Sequence, residues 1–246
     1  MRRYVYLMSE EELGSLLASR SFPLEVLGRE KGKVIFGVYE PLKGYRPLRV
    51  EEVPEDWRSW REGFGPVEVE DLVIMPPWKL PVFIKPGTAF GTGLHPTTRL
   101  SLKALRESLR RGDSVLDVGT GSGILAVVAK LLGAGRVLGI DVCPDAVREC
   151  RENAELNRVE VECREAKPSQ LKETFDLLVA NLELSIFREE LPFLKRLFRR
   201  EAILSGIYGK EELEELLELC KQQDLEADRI YEEENWFAVR VGDGRT

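Results

Sequence analysis

The chain of 246 residues is short of histidine, asparagine, glutamine and positive charge, and each scarcity excludes a class of protein. His95 is the single histidine, and the four cysteines, Cys143, Cys150, Cys163 and Cys220, contain no C-x-x-C pair. A Cys/His zinc site therefore has no ligand set, and neither a disulfide nor a bound metal is expected. No run approaches the ~20 uncharged apolar residues that a bilayer span requires. The opening Met1-Arg2-Arg3-Tyr4-Val5 meets acid at Glu10 before any long apolar region, so a cytoplasmic protein without a cleaved signal is expected. Lys and Arg number 36 against 43 Asp and Glu, for a net charge of −7. That balance argues against direct nucleic-acid binding, which needs clustered cations to neutralise phosphates, and is easier to reconcile with a basic partner. Only four Asn and three Gln accompany a charged fraction of 32%, a composition that leans towards a thermophilic source.

What is present divides in two. Residues 4–8, 24–28 and 33–39 read as short strands, and Ser9 with Glu12 forms a capping box opening a helix over 10–20. These make a small α+β unit, placed at residues 1–53. Prolines and glycines punctuate residues 40–66, around an amphipathic stretch bearing Trp57 and Trp60, so a linker is assigned to 54–71. From residue 72 to 246 a catalytic domain is expected, because apolar runs at 114–118, 136–140, 159–163, 175–180 and 202–205 alternate with helical segments near 123–132, 144–156, 184–198 and 210–223. Such alternation builds a parallel sheet covered by helices on both faces, the doubly wound α/β class. A closing pair, 226–232 and 235–241, turns at Glu234-Asn235 and adds an antiparallel edge.

The sharpest local signal is Asp117-Val118-Gly119-Thr120-Gly121-Ser122-Gly123, at the junction of the first parallel strand and its helix. Glycines there allow close approach of a ligand to the backbone, and a helix N-terminus offers N–H groups to an anion. Gly119 and Gly121 are thus candidate cofactor contacts. Asp141 lies 22 residues after Gly119, at the end of the apolar run VLGI, where a carboxylate can accept both hydroxyls of a ribose. A dinucleotide fingerprint would need glycine at 124, and the chain has Ile124. After the fourth strand comes Asn181-Leu182-Glu183-Leu184, whose Asn181 falls at the same carboxyl edge of the sheet.

Upstream, Pro86-Gly87-Thr88-Ala89-Phe90-Gly91-Thr92-Gly93-Leu94-His95-Pro96-Thr97-Thr98 runs into a helix over 97–110. This segment, together with LDVGTGSGILAVVAKLLGAGRVLGIDVCPDAV and the linker's EDWRSWREGF, closely resembles the ribosomal protein L-11 methyltransferase (PrmA) family over roughly residues 54–181. The resemblance implies a class I methyltransferase fold with a mostly parallel seven-stranded sheet, S-adenosylmethionine as methyl donor, and lysine ε-amines and the N-terminal α-amine of ribosomal protein L-11 as acceptors. Carried onto this sequence, its cofactor contacts are Thr98, Gly119, Asp141 and Asn181. After Asn181 the chain departs from the family's N-I-L-type continuation at Leu182-Glu183. Asn181 is taken as the residue that positions the amine, with water removing the proton, and His95 as ordering its loop rather than acting as a base. The residues alone also fit a small-molecule methyltransferase or a non-catalytic cofactor-binding module in ribosome assembly.

Overall fold

A computed structural model describes residues 2–19, 22, 24–53 and 65–243, and the chain falls into two compact units, Met1–Leu80 and Pro81–Thr246. The linker tryptophans Trp57 and Trp60 lie outside the described residues. No helix among the described residues is long and apolar enough to cross a membrane.

In the first unit, β1 (Arg2–Ser9), β2 (Glu25–Glu30), β3 (Lys33–Val38) and β4 (Arg49–Glu52) form an antiparallel sheet in the order β2-β3-β1-β4, with α1 (Glu10–Ser19) between β1 and β2 in sequence. The capping box forms as read: the Ser9 hydroxyl accepts from the Glu12 amide at 3.1 Å, and the Glu12 carboxylate accepts from the Ser9 amide at 2.9 Å. Lys31 and Gly32, at φ 48° and 77°, supply the two positive-φ residues of a tight hairpin turn. Tyr6 and Phe36 stack in the core at 5.7 Å, and the Tyr6 hydroxyl accepts from the Leu42 amide. Strand β4 lies in the stretch punctuated by prolines and glycines, where no strand is expected; Arg3, paired with Glu51 at 2.6 Å, is the cross-strand contact that periodicity could not reveal. A two-stranded ribbon, β5 (Val67–Val69) with β6 (Leu72–Ile74), follows.

The second unit holds seven strands in the order β12-β13-β11-β10-β7-β8-β9. β7 (Ser114–Val118), β8 (Arg136–Asp141), β9 (Glu162–Glu165), β10 (Phe175–Asn181) and β11 (Phe198–Tyr208) run parallel. β12 (Leu225–Glu233) and β13 (Trp236–Asp243) are antiparallel additions, joined through Glu234 and Asn235 at φ 51° and 64°. The helices are α2 (Pro96–Ser108), α3 (Ile124–Leu131), α4 (Pro144–Leu156), α5 (Leu184–Leu194) and α6 (Gly209–Gln222). Alternate strand residues feed two cores: Val115, Val137, Leu177 and Ile203 pack with α2 and α3, and Leu116, Leu138, Leu178 and Leu204 pack with α5 and α6. Burial on both faces is why these strands read as continuous apolar runs.

Several expected boundaries moved for local reasons. The strand expected at 159–163 is Glu162–Glu165, because the turn that closes α4 runs on through Arg158 at φ 54° and the Val159 amide still donates back to Ala154. The helix expected to reach 198 stops at Leu194, two residues beyond Pro192, and a single tight turn then starts β11 early at Phe198. The expectation of no disulfide is overturned: Cys150 on α4 is bonded to Cys163 on β9, 13 positions on, with Cα atoms 6.2 Å apart. A helix followed by a parallel strand folds back on itself, so motif spacing is the wrong guide to which thiols meet. Closing a loop of that length is worth ~3 kcal/mol in the chain-entropy picture. Cys163→Ala should therefore lower the melting temperature by ~6–12 °C. An unchanged melting temperature, with two alkylatable thiols at these positions in the wild-type protein, would show that the bond does not form.

Candidate active site

A cavity of about 660 Å³ opens at the carboxyl ends of β7, β8 and β10. Here the strand order reverses, β7 to β9 extending one way and β10 to β11 the other, which is where open α/β sheets take their ligands. The glycine turn forms its floor. Gly119, Gly121 and Gly123 have φ of 68°, 53° and 82°, and none has room for a side chain. A Cβ would collide with Leu182 at position 119 and with the Phe90 carbonyl oxygen at 121, and would lie 2.9 Å from the Cys150 Cα at 123.

The turn's amides are largely satisfied within the protein, which corrects the expectation of a helix N-terminus open to an anion. Gly119 and Thr120 donate to the Ile140 carbonyl, Ser122 donates to the Phe90 carbonyl, and Ile124 donates to the Ser122 hydroxyl. Asp117, fully buried at the end of β7, takes the Ala126 amide at 3.2 Å and the Thr120 hydroxyl at 2.7 Å. Its other oxygen has no partner among the described residues. Burial pushes the Asp117 carboxyl up to about 7, against those two hydrogen bonds, with nearby Asp141 adding to the rise.

Asp141 is fixed at the tip of β8, where one oxygen accepts from Gly121 N–H at 3.1 Å and the other from Cys143 N–H at 3.0 Å. Asp141, Gly119, Gly121 and Asn181 all line the cavity. The Asn181 side chain makes no hydrogen bond to any described residue. Thr98 is not in the lining; its neighbour Thr97 is, while Thr98 is 1% exposed with a hydroxyl lacking a partner among the described residues. His95 caps α2, its Nδ1 2.8 Å from the Thr97 hydroxyl, and Pro96 begins the helix.

An aromatic wall completes the cavity. The His95 ring meets Phe90 at 5.3 Å and Trp236 at 4.7 Å, both edge to face, and Tyr208 lies 4.8 Å beyond Trp236. Arg99 secures this wall by pairing with Glu233 at 2.7 Å and donating to the Leu94 carbonyl, tying the β12–β13 turn to the His95 loop. Trp236 was missed in the sequence because β13 read as a peripheral strand. The one available signal was an aromatic residue immediately after the Glu234-Asn235 turn.

Residues 38–243 match the family model described as ribosomal protein L11 methyltransferase (PrmA). The chain is 52% identical over 244 residues to a ribosomal protein L11 methyltransferase of Aquifex aeolicus, covering 99% of both. It is 38% identical over 206 residues to one of Dictyoglomus thermophilum, covering 79% of this chain and 67% of that relative. Among solved structures it resembles a ribosomal protein L11 methylase of Lactobacillus delbrueckii, with a TM-score of 0.62 and 28% identity over 73% of this chain and 99% of that one.

The Asp117 environment sets a pH dependence. The folded state holds the carboxyl proton up to about pH 7, whereas the unfolded chain releases it near 3.8. The unfolded state therefore binds fewer protons in that window, and this group's contribution to stability is lost as pH rises through it. Asp117→Asn, neutral throughout, should flatten the decline in thermal stability from about pH 4 to about pH 7. Parallel wild-type and mutant profiles over that range would rule out the raised carboxyl.

Proposed function

The chain belongs to the ribosomal protein L11 methyltransferase (PrmA) family, and we propose that it transfers methyl groups from S-adenosylmethionine to lysine ε-amines and the N-terminal α-amine of ribosomal protein L11. One observation carries the reading: a cavity at the sheet's switch point joins a strand-tip carboxylate, Asp141, to an amide, Asn181, that is unpartnered among the described residues, beside an aromatic wall. The sulfonium of the donor supplies an activated methyl group. The residues present fit such a donor, because the backbone amides that hold Asp141 leave its remaining lone pairs free for two ribose hydroxyls. Gly119 and Gly121 keep the cavity floor clear of side chains. Thr98 remains a candidate contact on the family resemblance, one residue from Thr97 in the wall.

On the acceptor side, the task of the protein is to position and desolvate a neutral amine. Deprotonating a lysine at pH 7 costs ~4.6 kcal/mol from its ordinary pKa, and an α-amine far less. Phe90, His95 and Trp236 offer rings rather than water to that amine, which lowers the cost of its neutral form. His95 Nδ1 is engaged with the Thr97 hydroxyl, which supports an organising role for this ring. The Asn181 side chain is available to orient the amine, and the proton passes to water. Residues 1–53 are proposed to grip the protein substrate, with 54–71 as linker and 72–246 as the catalytic domain.

Transfer of a radiolabelled methyl group to purified L11 tests the activity directly; a protein that binds the donor and labels only small amines would overturn the acceptor. Asp141→Ala should weaken S-adenosylhomocysteine binding by ~1.5–3 kcal/mol through loss of charge-assisted hydrogen bonds. An unchanged dissociation constant in the folded mutant removes Asp141 from the site. Asn181→Ala should lower the single-turnover rate ~10²-fold at saturating cofactor, ~2.7 kcal/mol of barrier, while affinity changes much less. A normal single-turnover rate would sink the positioning role.

A further inference from the structure

Glu149 and Asn153 on helix α4 and Asn157 at its C-cap lie four residues apart along one face, and all three bind the same segment of chain. The Asn157 amide accepts from Phe83 N–H at 2.8 Å and donates to the Phe83 carbonyl at 2.6 Å. Asn153 accepts from Lys85 N–H at 2.8 Å. Glu149 Oε1 accepts from Thr88 N–H at 2.8 Å, the Thr88 hydroxyl at 3.1 Å and Ala89 N–H at 3.2 Å. Residues 83–89 have no strand neighbour among the described residues, so a ladder of side chains along the helix supplies the acceptors that a sheet would otherwise provide.

The fit is close. A Cβ at Gly87 would collide with the Glu149 carboxyl group, and Glu149 itself is 8% exposed with no ion pair among the described residues. The loop's own donors are what offset its burial. Fully buried Asn153 also donates to the Ser122 carbonyl at 2.8 Å, so the same ladder reaches the glycine turn. Thr88, Ala89 and Phe90 line the cavity, as do Asp145 and Ala146 in the first turn of α4. One rigid helix therefore adjoins Asp141 at its start and holds the opposite loop from its middle.

We propose that Glu149 is a positioning residue for methyl transfer: its carboxylate fixes Thr88 and Ala89 so that the cavity wall, and Phe90 beyond it, keep the shape that donor and acceptor require. The role in transfer rests on the methyltransferase reading above, whereas the clamp on the loop can be measured apart from it. Glu149→Ala leaves three loop donors without an acceptor, while Glu149→Gln keeps an oxygen at the Oε1 position. Hydrogen exchange of residues 83–91, calorimetric titration with S-adenosylhomocysteine, and single-turnover methylation of L11 at saturating cofactor make up the test on the full chain. In the alanine variant, exchange at Thr88 and Ala89 should rise ~10-fold or more and the dissociation constant ~10-fold, with a slower single turnover, while exchange in β1 and β3 stays as in the wild type. The glutamine variant should recover each quantity to within ~3-fold of wild type. Three results would overturn the proposal: unchanged exchange at 83–91, loosened exchange with affinity and rate both unaltered, or a uniform rise in exchange across the second unit. A wild-type protein that fails to bind S-adenosylhomocysteine overturns the methyltransferase reading and the transfer role with it, and leaves the exchange data to report on the clamp alone.

Discussion

The site depends on a steric constraint at three positions that carry no side chain. Gly119, Gly121 and Gly123 are each pressed by a different part of the chain: Leu182 after β10, the Phe90 carbonyl in the upstream loop, and the backbone of α4 at Cys150. Because left-handed glycines cost little there and any Cβ would displace one of those neighbours, the turn acts as the point where three segments take their mutual positions. Asp141 belongs to the same assembly, since one of its two backbone donors is Gly121 itself.

This packing leaves the turn with few amides to offer. Ile140, Phe90, Ser122 and Asp117 already accept most of them, so recognition passes to side chains displayed around the turn and to the shape they enclose. Asp117 bears the burden of that arrangement, as a buried acid whose second oxygen lacks a partner among the described residues. Helix α4 is fixed on both flanks, by a covalent bond to β9 on one side and by polar side chains to the upstream loop on the other.

Much of this was legible because the local and global demands coincide. Strands buried on both faces show as apolar runs, left-handed turns as glycine or Glu-Asn pairs, and the acid after an apolar run, Asp141, as a group at the sheet's carboxyl edge. Glu149 was overlooked since a charged residue on an amphipathic helix reads as solvated surface until the segment opposite is known. Trp236 and the Cys150–Cys163 bond share that cause: each matters through a partner far along the chain, which periodicity does not encode. The length of β11 was hidden by the charges at its start, Arg199, Arg200 and Glu201, where Arg200 in fact pairs inward with Asp113 at 2.8 Å.

Strand β13 lies between β11 and β12, not at the margin of the sheet, and it delivers Trp236 to the cavity. Of all the segments that line the site, it is the last to be synthesised. A chain emerging from the ribosome carries α2 to α5 and the parallel strands well before this strand, although its domain folds as a unit. It still lacks a wall until residues 236–243 insert beside β11. The cavity wall at Trp236 and the closing strand of the sheet are thus completed in a single step.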